Sequence, residues 1–110
     1  MRWNRGPVVN TVFDALSHPI RREVLHLLRH GAMTAGALAD HFPVSKPTMS
    51  GHFAKLRAAG LVQSENRAGQ MIYSLNMSVL EEAVMGFMDR FAPGHVEMPS
   101  PIPPEQEVKS

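Results

Sequence analysis

Two helical segments in the middle of this chain are joined by so short a linker that their relative placement is nearly forced. Thr34 has the side-chain oxygen that a helix N-cap requires, and the segment behind it turns Leu38, Ala39 and Phe42 to one side before Pro43 stops it. Only Pro43 and Val44 then separate this short third helix from Ser45. Ser45 caps a fourth helix, Pro47 is tolerated in its first turn, and Gly60 closes it where a left-handed residue is favoured. Two helices joined this tightly read as a helix-turn-helix.

The remaining elements follow from periodicity. Val8, Val12, Phe13 and Leu16 recur at helical spacing, and the helix they predict ends near Ser17, because the residue before Pro19 is driven out of helical geometry. From Pro19, a second helix carries an apolar stripe of Ile20, Val24, Leu27 and Leu28, with Gly31 ending it. Arg21, Arg22, His26, Arg29 and His30 fall off that stripe; its arginines are candidates for phosphate contact, but helix-surface arginines more often form local ion pairs, so they are left out of the expected site. After Gly60 the pattern alternates over 61–65 and again over 71–75, with the polar residues 66–70 between, which predicts a hairpin. A fifth helix starts near Ser78, with Leu80, Val84, Phe87 and Phe91 along one face. The expected fold is mainly α with a small two-stranded β-hairpin, in the order α-α-α-α-β-β-α: a winged helix-turn-helix. Residues 1–91 form the expected domain. Residues 92–110, with Pro93, Pro99, Pro101, Pro103 and Pro104 and net acidic charge, are expected to be a disordered Pro-rich tail.

Composition removes several function classes. At 110 residues, 44% hydrophobic and 19% charged, the chain suits one soluble domain with a modest core. No apolar run approaches the roughly 18 residues of a membrane span, and nothing after Arg2 and Arg5 resembles the core of a signal peptide, so the expected compartment is the cytoplasm. The chain holds no cysteine, which excludes disulfides, thiolate metal ligands and cysteine nucleophiles. Neither a nucleophile elbow, nor a phosphate-cradling glycine loop, nor HExxH is found, so no enzyme is expected.

A net charge of +1 says little by itself, but its distribution is informative. Residues 45–70 carry Lys46, Lys55, Arg57 and Arg67 against Glu65 alone, four cations to one anion. On the fourth helix Met49, Phe53 and Leu56 share a face and must look inward. The other side presents Thr48, Gly51 and Lys55, with Ser45 and Lys46 at the amino end and Ser50 and His52 on the flanks. Free of bulky side chains, such a helix can lie close to the floor of a major groove, and its amino end favours phosphate. Arg67, at the hairpin tip, can enter a minor groove or neutralise a phosphate. The plainer alternatives are a solvated surface helix, or a winged-helix module that docks a protein instead of DNA. Val9, Val12, Val79, Leu80, Val84, Phe87, Met88 and Phe91 exceed what a three-helix core can cover and are candidates for a homodimer interface, the alternative being that some fill the protomer core. Two-fold pairing would set two reading helices about 34 Å apart and imply a palindromic operator in double-stranded DNA.

The run from Phe13 to Phe91, with ALSHPIRREVLHLLRHG at 15–31 and SKPTMSGHFAKLRAAGLV at 45–62, resembles the ArsR/SmtB family of winged-helix repressors. MTAGALADHF at 33–42 and GQMIYSLN at 69–76 look most like its SdpR-like branch of metal-independent autorepressors. The resemblance implies a dimer paired through the first and last helices, with Ser45, Lys46, Thr48, Ser50 and His52 at DNA-contacting positions and Arg67 as the wing-tip base. It also implies release by a regulatory protein partner at the membrane. Metal-binding relatives use histidines in the last helix or cysteines near the third, and here residues 78–91 contain no histidine. No metal site and no cofactor are therefore expected. His26 and His30, four residues apart, are the alternative, a metal-responsive repressor with an unusual site, but two ligands leave a coordination shell incomplete.

Overall fold

A computed structural model describes residues 11–91. The described chain starts in helix, residues 11–15 (α1), and continues through α2 (Pro19–Leu28), β1 (Met33–Thr34), α3 (Ala35–Ala39), α4 (Lys46–Ala58), β2 (Val62–Arg67), β3 (Gln70–Leu75) and α5 (Met77–Asp89). Val9 and the proposed tail at 92–110 lie outside these residues. Among the described residues no helix is long and apolar enough to cross a membrane.

Local chemistry sets the helix ends. Before Pro19, His18 is held in extended backbone, and its ring Nδ1 accepts the Ile20 N–H at 3.1 Å, capping α2. Thr34 caps α3 by accepting the Ala37 N–H at 3.0 Å, and Ser45 caps α4 by accepting the Thr48 N–H at 3.2 Å. At the far end of α4, Gly60 takes φ +78°, its N–H bonding to Arg57 O while the Leu61 N–H reaches back to Leu56 O. That pair of bonds is a Schellman closure, and it needs the left-handed residue that glycine provides.

The sheet corrects one expectation: it has three antiparallel strands, not two, in the order β1-β3-β2. β1 pairs Met33 with Tyr73 and Thr34 with Ile72, while β2 pairs with β3 from Val62–Leu75 to Arg67–Gln70. A two-residue strand has no alternation to detect, and Thr34 both ends β1 and caps α3, which hid its strand role. The hairpin also runs further than expected, leaving Ala68 and Gly69 alone at its turn. Both have positive φ, +53° and +84°, the backbone of a tight type I′ turn.

One core gathers Val12 and Ala15 of α1, Val24, Leu25 and Leu28 of α2, Leu38 of α3, Met49, Phe53 and Leu56 of α4, Leu61, Val62 and Tyr73 of the sheet, and Ala83 of α5. Val12, at 1% exposed, therefore fills the protomer core and is withdrawn as an interface candidate. Its neighbours explain this: α1 lies on the helical layer, and its inward turn is consumed by the fold.

Ala68 is a non-glycine residue held in left-handed backbone, a strain that asparagine tolerates better. Ala68→Asn is expected to stabilise the domain by about 0.5–1 kcal/mol, raising Tm by roughly 2–6 °C in thermal denaturation.

Candidate nucleic-acid interface

α4 is held by one face only. Met49 and Leu56 are sealed in the core, and Phe53 stacks on Tyr73 with ring centroids 4.6 Å apart. The Tyr73 hydroxyl accepts a hydrogen bond from Arg57 Nη1 at 3.3 Å, tying the last turn of α4 to β3. The other face is open: Ser45, Lys46, Thr48, Ser50, Gly51 and Lys55 are all exposed. A Cβ built at Gly51 would meet nothing within 4 Å, so packing does not demand glycine there. Its effect is to leave the outward backbone of the helix bare at mid-length, at a cost of about 1 kcal/mol in helix propensity. Ser45 serves the helix as well as the face, since its hydroxyl donates to the Thr48 hydroxyl at 2.9 Å while accepting the Thr48 amide.

The cations of this surface are lightly held. Lys55 Nζ lies 3.5 Å from Asp14 Oδ2, and Arg67 donates from Nη2 to Glu65 at 3.0 Å, both pairs more than half exposed. Exposed pairs of this kind contribute at most about 1 kcal/mol, so a phosphate can displace either carboxylate. Arg67 sits at the end of the hairpin, beside the Ala68-Gly69 turn and on the last paired register of β2 and β3.

His52 requires a correction. Expected on the flank of the open face, it is instead 8% exposed and turned inward, its ring 4.4 Å from that of His18 and its Nδ1 3.1 Å from Arg21 Nη1. The sequence contained a signal for this, because residue 52 lies three after Met49 and four before Leu56, at the edge of the buried stripe. Arg21 was missed altogether. Read as a surface residue of α2, it is 8% exposed, and it donates from Nε to Ala15 O at 2.8 Å and from Nη2 to Asp14 O at 3.2 Å. Burial holds the His52 imidazole below its ordinary pKa of 6.5, with the charges of His18 and Arg21 adding to the effect.

The second face with unspent chemistry is α5. Only Ala83 is buried there, while Val84, Met85, Phe87, Met88 and Phe91 stand exposed at 38–69%. Phe87 meets Phe13 edge-on at 5.5 Å and Phe91 at 5.1 Å, so the exposed rings form one cluster running from α1 onto α5. Val79 and Leu80 are half-buried against the core, with a Val79 methyl lying 3.7 Å from where a Cβ on Gly60 would stand. Met85 was not among the sequence candidates. It faces outward beside them.

A family model described as a helix-turn-helix domain matches residues 16–65. The chain is 48% identical over 77 residues to the transcriptional repressor SdpR of Bacillus subtilis (strain 168), a match covering 69% of this chain and 84% of the relative. It is 36% identical over 73 residues to the arsenical resistance operon repressor of Staphylococcus xylosus, covering 66% of this chain and 70% of the relative. Among solved structures, an ArsR-like transcriptional regulator from Rhodococcus sp. RHA1 superposes with a TM-score of 0.70 at 28% identity, covering 77% of this chain and 80% of that one.

Because the folded chain keeps His52 neutral below pH 6.5 while the unfolded chain takes up a proton there, acid favours unfolding at this site. The stability that the neutral ring supplies is complete above about pH 6.5 and is lost as pH falls below it. Tm should therefore drop more steeply from pH 7 to pH 5 in the wild type than in His52→Asn, as read by circular dichroism; parallel profiles would contradict the assignment.

Proposed function

Since the chain belongs to the ArsR/SmtB family of winged helix-turn-helix repressors, which bind DNA and catalyse no reaction, we propose that it represses as a homodimer on a palindromic operator, reading it through α4. The observation that carries this reading is the division of α4 into a face sunk in the core and a face of small, polar and basic side chains open to solvent along its length. A 13-residue helix spans about 20 Å, enough to follow one major groove across several base pairs. Thr48 and Ser50 then face base edges, and Gly51 leaves room for close approach. Ser45 and Lys46, at the positive end of the helix dipole, meet phosphate. Lys55 and Arg67 exchange their carboxylate partners for DNA, Arg67 from the tip of the wing.

The dimer places a second copy on the α5 face. Phe87, Met88, Phe91, Val84 and Met85 form an exposed apolar surface continuous with Phe13 of α1, and burying the part of each that the protomer leaves exposed yields about 1 kcal/mol, roughly half the value of full burial. Pairing of like faces gives the two-fold axis that sets two α4 helices one helical turn of DNA apart. Val79 and Leu80, already half-buried, contribute at the margin. We read repression as metal-independent, on the ground that a chain without cysteine and with no histidine in 78–91 carries neither of the donor sets that metal-responsive relatives use. The protein would act in the cytoplasm, and the region upstream of its own gene is the first operator to test.

With Lys46, Lys55 and Arg67 neutralising phosphate from each protomer, affinity for operator DNA should fall about a thousandfold between 50 and 200 mM salt. Thr48→Ala should cost about 1–3 kcal/mol and relax base preference, whereas Lys46→Ala and Arg67→Ala should weaken all sequences alike and flatten the salt dependence. Fluorescence anisotropy on operator and scrambled duplexes reads both, and equal, negligible effects from all three would remove these residues from the interface. Phe87→Glu, at a position 48% exposed in the protomer, should leave circular dichroism unchanged and yield a monomer in sedimentation; a variant that stays dimeric places the partner elsewhere.

A further inference from the structure

Three helices meet at one buried guanidinium. Arg21, on α2, donates to the carbonyls of Asp14 and Ala15 that end α1, and its Nη1 lies 3.1 Å from Nδ1 of His52 at the middle of α4. A guanidinium can only donate, so Nδ1 of His52 accepts, and that ring carries its proton on Nε2. The neighbouring ring is bound by the same requirement: Nδ1 of His18 accepts the Ile20 N–H that caps α2. Both imidazoles thus have an N–H pointed at the ring nitrogen that a further proton would occupy, and they lie 4.4 Å from each other. Among the described residues, the charged groups beside this cluster include Arg21 and Arg22 from α2, Arg22 donating from Nη1 to Leu16 O at 2.8 Å, Asp14 from the end of α1 and Lys55 on α4 itself. The Asp14 carboxylate is turned to Lys55 at 3.5 Å, so Arg21 is met by carbonyls and an imidazole and by no carboxylate.

We propose that Arg21 is a positioning residue for DNA recognition, and that the lock it forms with His52 steadies α4 against α1 and α2 only while the His52 ring presents a neutral acceptor, so that acidification lowers operator affinity. The inference rests on α4 being the DNA-reading helix. Protonating His52 turns its acceptor into a donor aimed at Arg21 and adds a buried cation beside an existing one. That event loosens the hold of α1 and α2 on α4, one turn away from Thr48 and Lys55. The depressed pKa of His52 agrees with the cost of charging it in this place.

The sign of the effect separates this device from ordinary electrostatics. Ordinary gain of positive charge at an exposed surface strengthens attraction to phosphate as pH falls. The lock demands the reverse. Anisotropy with operator DNA at fixed salt should show wild-type affinity falling by about threefold or more from pH 7.5 to pH 5.0; constant or rising affinity overturns the proposal. The double variant His18→Asn, His52→Asn keeps an acceptor oxygen at both positions without titrating, and its affinity ratio between the two pH values should be near one or inverted. A wild-type ratio in that variant, or in Arg21→Gln, overturns the proposal too. The Arg21 Nε–H chemical shift, set by its bond to Ala15 O, is read without DNA and should move toward that of an unbonded arginine between pH 7.5 and pH 5.0. A shift unchanged to pH 5.0 overturns the lock, and its movement in a chain that binds no operator at any pH supports the lock while counting against the repressor reading.

Discussion

The interaction on which this structure depends is the anchoring of α4 through Met49, Phe53 and Leu56. These three side chains, fully or nearly buried, fix the rotation of the helix about its axis, and the stacking of Phe53 on Tyr73 sets it against the sheet. A rotation by one residue position, 100°, would carry Thr48 and Gly51 off the outer face and bring buried side chains into water. Core packing therefore decides which side chains of α4 stand outward, and the stability of the fold and the composition of that outer face rest on the same three residues. The cost of truncating a buried leucine or phenylalanine, about 2–5 kcal/mol, is a large share of the margin a domain this small possesses.

Around this anchor the protein separates rigidity from charge. The groups that hold α4 are apolar or, like Arg21, cationic groups consumed by carbonyls in the interior. The groups offered outward are cations in exposed pairs with Asp14 and Glu65, whose attachment is weak enough to yield to phosphate. The wing follows the same plan: a tight two-residue turn stiffens its tip, and the only cation there is held by a carboxylate two residues away on its own strand. The apolar rings from Phe13 to Phe91 are the third component, a surface that the protomer leaves incompletely covered.

Caps and periods made most of this legible before any coordinates. Thr34, Ser45 and Gly60 act on their own neighbours, so their roles follow from local chemistry, but the joint is longer than Pro43 and Val44, since α3 stops at Ala39 and residues 40–45 lead to α4. The same reasoning located the open face of α4, because a 3.6-residue period assigns every position an azimuth. What it missed was non-local. β1 exists only because β3 pairs with it, and two residues carry no period. Val12 was given to a partner because apolar spacing shows that a side chain must be covered, without showing by which surface.

Arg21 and His52 mark the limit most clearly, since charge and polarity argue for exposure and only a partner distant in the chain reverses that argument. Thirty-one residues separate them, and their bond closes only once α1, α2 and α4 have assembled. The sequence by itself determined the helices, the hairpin and the inward stripe of Met49, Phe53 and Leu56 on α4, because these depend on contacts within a few residues. Tertiary structure alone decided which polar groups are drawn inside, where the third strand pairs and which apolar face stays uncovered, because burial belongs to the packed whole and no short stretch of chain contains it.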